Sequence, residues 1–159
     1  MKKVSVFVDV QNIYYTTKSV YQRNFAYNKF WTEATHNRQV VTARAYATSR
    51  GDKKQEAFQN ILRAIGFDVK LKPFIQRSDG SSKGDWDVGI TIDVIEYAQQ
   101  SDIVVLASGD GDFDLLIKEI KTKFNTDTEI YGVPSLTAYS LIAEATHFKP
   151  IDEKLLLGQ

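Results

Sequence analysis

A chain of 159 residues with 20 Lys/Arg, 20 Asp/Glu and no cysteine excludes disulfide frameworks and thiolate metal sites, so any metal must be held by oxygen or imidazole. Its 43% hydrophobic and 25% charged content is that of a globular chain with one core, expected to run over residues 1–159 as a single domain. No apolar stretch reaches the length of a membrane span, and the start MKKVSVFVDV reads as a strand rather than a secretory leader, so a cytoplasmic protein with no membrane partner is expected.

Val4 to Asp9 alternates and is rich in valine, and predicts the first strand. A helix is expected over Asn28 to Thr35 and a second strand over Val40 to Ala47. Lys53 to Ile65 carries Phe58, Ile61, Leu62 and Ile65 on one stripe and predicts a helix stopped by Gly66. Val69 to Ile75 reads as a third strand, placed toward an edge by Pro73. The polar loop QRSDGSSKGD follows. Asp87 to Ala98 has Ile90, Val94 and Tyr97 spaced for one helical face. Ile103 to Ala107 predicts a fourth strand, Phe113 to Lys123 a helix, Glu129 to Val133 a fifth strand and Ala138 to Ala145 a last helix. Strands alternating with helices imply an α/β sandwich, Rossmann-like, with a mainly parallel five-stranded sheet and right-handed crossovers.

Charge is unevenly spread along the chain. From Arg38 to Lys83 there are ten Lys/Arg against four Asp/Glu, and from Gly84 to Glu119 one Lys against nine acids. A basic half beside an acidic half suits a polyanion held by one and processed at the other, and equally suits two solvated surfaces. Arg44, Arg50, Lys53, Lys54, Lys70, Lys72 and Lys83 are the candidate contacts to such a strand.

With strand order 3-2-1-4-5, strands one and four adjoin where the order reverses, and ligands bind beyond the carboxyl ends at that point. Asp9 ends strand one, Asp110 and Asp112 follow strand four in SGDGDF, and Asp87 opens a helix from the same rim. Taken singly, Asp87 and Asp112 are ordinary helix-start residues. Together, the four carboxylates either raise one another's pKa or recruit a cation, and a hard ion such as Mg²⁺ or Mn²⁺ is the natural occupant. Asn12 lies on the turn after Asp9, where it could orient that residue or contact a phosphate, or form a plain Asx-turn. Asp93 is roughly 120° around the helix from Asp87, and Asp85 and Asp114 are expected to face solvent or a helix dipole. Lys83 could meet a substrate phosphate. Trp86, Tyr14 and Tyr15 could stack bases or simply pack. His36 and His147 are isolated and expected at the surface.

At these residues the sequence resembles the NYN domain family of the PIN-like nuclease superfamily, in particular its LabA-like bacterial branch. FVDVQN is similar to the family's Asp-x-x-Asn element and carries Asp9 and Asn12. KGDWDVGITIDVIEYA is similar to its Lys-Gly-x-Asp helix motif with one residue inserted, so that Asp85 or Asp87 takes the acidic position; Asp87, which starts the helical pattern, is the one expected. VVLASGDGDF is similar to its Ser-Gly-Asp-x-Asp-Phe signature and carries Asp110 and Asp112. The resemblance implies a PIN-like three-layer fold and a ribonuclease that hydrolyses RNA phosphodiesters with Mg²⁺ or Mn²⁺. Asp9, Asp87, Asp110 and Asp112 would then be catalytic metal ligands, with Asn12 and Lys83 binding substrate; a homodimer is compatible with it. A non-catalytic RNA-binding or regulatory module is the alternative. A phospho-accepting receiver domain is excluded, because the ends of strands three and five read KPFI and YGVPS. A haloacid-dehalogenase-type phosphatase is excluded by Gln11, where a second aspartate is needed.

Overall fold

The computed structural model describes residues 1–73, 75–76, 82–83 and 85–158, without the side chains at 73, 75, 76, 82 and 83. In chain order the elements are β1 (Lys2–Asp9), α1 (Val10–Tyr21), α2 (Tyr27–Thr35), β2 (Arg38–Ser49), α3 (Lys53–Ile65) and β3 (Asp68–Pro73). A short antiparallel pair, β4 (Ile75–Gln76) and β5 (Ser82–Lys83), comes next. The second half runs α4 (Asp87–Ala98), β6 (Ile103–Ala107), α5 (Asp114–Phe124), β7 (Asp127–Gly132), α6 (Tyr139–Glu144) and β8 (His147–Pro150). The main sheet has six strands in the order β3-β2-β1-β6-β7-β8, and all its pairings are parallel. Among the described residues no helix is long and apolar enough to cross a membrane.

The expected order holds through five strands, and β8 adds a sixth at the edge. β8 escapes sequence reading because it is four residues long and half exposed, without the alternation that marks a strand with one buried face. The third strand ends at Pro73, and Ile75 belongs to the separate β4–β5 pair. Helix α1 is also absent from the sequence expectations, which put Asn12 on a turn; the residue lies instead in the first turn of α1. Its inner face includes Thr16 and Thr17 beside Val10 and Ile13. The threonine hydroxyls donate to the carbonyls of Asn12 and Ile13 at 2.8 Å, so two polar residues are buried without loss of a partner and blur the apolar stripe.

The sheet is buried on both faces, as parallel sheets require. Val4, Val6 and Val8 of β1 and Val105 and Ala107 of β6 pack with Ile13, Phe30 and Leu62 of α1, α2 and α3. Phe7, Val104 and Leu106 pack with Ile90, Val94, Ile117 and Leu141 of α4, α5 and α6. Successive side chains on a strand point to opposite faces. Asp9 therefore shares the α4 side with Phe7, and Ser108, just past β6, shares it with Leu106.

Candidate active site

β1 and β6 are neighbours joined to strands on opposite sides, so the reversal of strand order falls between them. Asp9 is 8% exposed there. The fully buried Ser108 hydroxyl donates to Asp9 Oδ2 at 3.1 Å and accepts from the Asp110 N–H at 3.2 Å. One small side chain thus fixes the first carboxylate and the start of the loop that carries the third. Asn12 makes the second clasp: its Oδ1 accepts from the Gly109 N–H at 2.9 Å. Asn12, expected to orient Asp9, contact a phosphate or form an Asx-turn, has its side-chain oxygen tie α1 to the aspartate loop. Ser108 carried no expected role, although its place between an apolar strand and Gly109-Asp110 was the available signal.

The loop itself needs its glycines. A Cβ on Gly109 would lie 2.7 Å from the Leu136 carbonyl oxygen, and one on Gly111 would lie 2.8 Å from the Ala138 Cβ. The segment after β7 is therefore pressed directly onto SGDGDF. The Asp110 carboxylate accepts the Asp112 N–H at 2.9 Å.

Asp87 reaches the crevice because α4 is anchored beneath β2. The Trp86 indole donates to the Ala47 carbonyl at 2.9 Å and its ring meets Tyr46 edge-on at 5.3 Å. Arg44 and Tyr46, on the same face of β2, both donate to Asp93 Oδ2 of α4, at 3.0 and 2.6 Å, and Arg44 also reaches the Tyr97 hydroxyl at 2.7 Å. Asp93 is thus an anchor for the helix, and Arg44, a candidate strand contact, has its side chain 17% exposed and paired with Asp93 under α4. Trp86 likewise serves as a buttress rather than an open stacking surface. Lys70 lies 3.1 Å from Asp68. The side chain of Lys83 lies outside the described residues.

Carboxylate oxygens of Asp9, Asp87 and Asp110 lie within 4.8 Å of one another. Of the four expected acids the structure brings these three together; Asp112 is exposed and outside the group. Asp85 is exposed too, and its Oδ1 accepts the Asp87 N–H at 3.3 Å, so Asp87 is the residue that the α4 start delivers to the crevice. Burial, with the charges of Asp110 and Asp85, pushes Asp9 up to about 6, against the pull of the Ser108 hydroxyl and the Asn12 backbone N–H. Burial and the adjacent Asp110 carboxylate, with Asp85 and Asp9 behind it, push Asp87 up to about 7. Among the described residues no lysine or arginine forms an ion pair with this group. An all-oxygen donor set with unneutralised charge is the chemistry of a hard divalent cation site.

Residues 3–152 match the family described as NYN domain. The chain is 27% identical over 130 residues to "Low amplitude and bright protein LabA" of Synechococcus elongatus, covering 76% of this chain and 69% of that protein. It is 53% identical to a protein of unknown function from Vibrio parahaemolyticus whose crystal structure superposes with a TM-score of 0.94, covering 98% of this chain and 96% of that one.

Proposed function

Because the chain belongs to the NYN domain family, a nuclease-like branch of the PIN superfamily, we propose that it is a metal-dependent ribonuclease working at the Asp9–Asp87–Asp110 crevice. The observation that carries this reading is the meeting of three carboxylates from β1, α4 and the loop after β6, two of them pushed toward neutrality by burial and by the neighbouring acids. Asp9, Asp87 and Asp110 would hold Mg²⁺ or Mn²⁺. Such an ion supplies Lewis-acid activation of water and charge neutralisation at the phosphoryl group.

The chain's own groups set the geometry. Ser108 holds the Asp9 carboxylate in one orientation, and Asn12 holds the Gly109 amide, so Asp9 and Asp110 keep a fixed separation. Asp112 acts through its N–H, which orients Asp110. Lys53, Lys54 and Lys72 on the β2–β3 side would carry the phosphates of the incoming strand, and Lys83 remains a further candidate. Water adds to phosphorus and the P–O3′ bond breaks, leaving a 5′-phosphate and a 3′-hydroxyl with no need for the substrate's 2′-hydroxyl.

The test is cleavage of a labelled RNA in Mg²⁺ or Mn²⁺, with end-group analysis, beside Asp9→Asn and Asp87→Asn. The expected result is 5′-phosphate ends, no activity in EDTA and no activity in either variant. Products with 2′,3′-cyclic phosphate, or full activity in chelator, overturn the mechanism. RNA binding without cleavage in either metal would show the regulatory alternative instead.

A further inference from the structure

The two flanks of the crevice differ in charge. On the β2–β3 side Lys53 and Lys54 open α3 and are exposed. Lys72 of β3 lies beside them on this flank, its Nζ 3.2 Å from the Asp85 carbonyl and 4.4 Å from the centre of the Trp86 ring, just before Asp87. On the β6–β7 side no lysine or arginine occurs between Lys123 and Lys149, and residues 132–143 carry no charge at all.

That uncharged segment is clamped against the aspartate loop. The Ala138 N–H donates to the Gly109 carbonyl at 3.0 Å, and Ala138 fills the space that a Cβ on Gly111 would need. The next residue, Tyr139, opens α6 with 83% of its surface exposed. Its side chain makes no hydrogen bond or ring contact among the described residues. A tyrosine so placed contributes nothing visible to the core, yet its chain neighbours Ala138 and Ser140 lie against Gly111, the residue after Asp110.

Around the aspartate loop a polyanion meets Asp110, Asp112 and Asp114, and the first lysine among the described residues, Lys118, lies a turn further along α5. Its phosphates are repelled there, so only its neutral parts, the bases, can be held. An exposed aromatic face is the surface that binds an unpaired base, whichever base it is. We infer that Tyr139 is a base-stacking platform for the nucleotide next to the scissile phosphate, and that the crevice therefore takes single-stranded RNA. The sugar–phosphate backbone crosses the Lys53–Lys54–Lys72 flank, and the strand is held by its bases beyond the aspartates. Duplex RNA presents no base face to the ring and is not retained by it. The inference rests on the ribonuclease reading in so far as RNA is the ligand of this crevice.

The test is binding rather than turnover, so it can be read apart from cleavage. The probe is a single-stranded RNA oligonucleotide carrying 2-aminopurine, compared with the same sequence annealed to its complement, in EDTA. Tyr139→Phe should bind as the parent does and keep the fluorescence quenching that reports stacking. Tyr139→Ala should bind the single strand roughly 5- to 150-fold more weakly, lose the quenching, and bind the duplex as before. Thermal melts of both variants should match the parent, since the residue is 83% exposed and makes no hydrogen bond or ring contact among the described residues. Parent-like binding by Tyr139→Ala overturns the platform, as does an equal loss on single strand and duplex, or a Tyr139→Phe variant as weak as Tyr139→Ala. A platform confirmed in a protein that cleaves no RNA in Mg²⁺ or Mn²⁺ would sink the nuclease reading alone. Cleavage by the parent with unchanged Tyr139→Ala binding would sink the platform alone.

Discussion

Two carboxylates are buried at opposite ends of the same sheet, Glu129 at 5% exposure near the amino ends of the strands and Asp9 at 8% near the carboxyl ends. Burial pushes both toward the protonated form. At Glu129 the Arg38 guanidinium more than cancels that push with a bidentate pair at 2.8 and 2.7 Å, and the group ends below the usual glutamate range. At Asp9 the neighbours are Asp110 and Asp85, and the group ends at about 6. Among the described residues the same cost of burial is met by a cation at one end and by none at the other. A completed pair is architecture, here spanning from β2 to β7; an uncompleted one is a place for a cation from outside.

The comparison breaks most sharply if Arg38 is removed. Arg38→Met leaves Glu129 buried without its partner and should destabilise the protein at neutral pH by about 3–5 kcal/mol, read from denaturant melts. Cleavage per folded molecule should be unchanged, and a parent-like melt would show the pair to be incidental. At the other end, Ser108→Ala removes the hydroxyl that orients Asp9. The expected loss is roughly 10- to 100-fold in metal affinity or activity, measured by Mn²⁺ titration and initial rates; an unchanged Mn²⁺ affinity would remove Ser108 from the site.

A smaller effect of opposite sign separates the two ends further. Asp110→Asn takes one charge from the cluster and should stabilise the metal-free protein by about 0.5–2 kcal/mol. Millimolar Mg²⁺ or Mn²⁺ should narrow or reverse that ranking, because binding to the folded parent adds RT ln(1 + [L]/Kd). Melts of both proteins, with EDTA and with metal, decide it: a lower melt for the variant in EDTA, with no metal shift in either, means no cation site.

The smallest effect is in pH. Asp9 and Asp87 bind protons more tightly in the folded chain than in the unfolded one, so their contribution to stability is full below about pH 4 and is lost as pH rises through 6 to 7. Glu129 has the reverse sign: its contribution is present at neutral pH and lost as pH falls through its lowered pKa. In EDTA, melts of the Arg38→Met variant and of the parent should therefore both fall between pH 5.5 and 8, and saturating Mn²⁺ should flatten that slope. A slope indifferent to metal would place its origin elsewhere than the aspartate cluster.

Much of this was legible along the chain because it is encoded locally. Val4 to Asp9 and Ile103 to Ala107 announce buried strands by composition, and each is followed at once by its acid or its Ser-Gly-Asp turn. Asp87 to Ala98 announces a helix that starts from the same rim, and its bounds coincide with α4. Period and turn chemistry are nearest-neighbour properties, so the alternating elements follow from them; the strand order through five strands was an expectation that the sheet bears out, and it is that order that brings Asp9, Asp87 and Asp110 together. What remained depends on partners far away in sequence. Thr16 and Thr17 are a local exception: their hydroxyls bond carbonyls four residues back, so two polar residues are buried and blur the apolar stripe of α1. β8 becomes a strand only because β7 offers it an edge. Arg44 looks like a surface cation until Asp93 and Tyr97, 49 and 53 residues on, arrive beneath it. Asp112 is a second local case: in the 3₁₀ turn its N–H donates to Asp110 while its carboxylate stays exposed. A sequence states what each residue can pair with, and only the sheet order and the crossings of its helices decide which pairings are made.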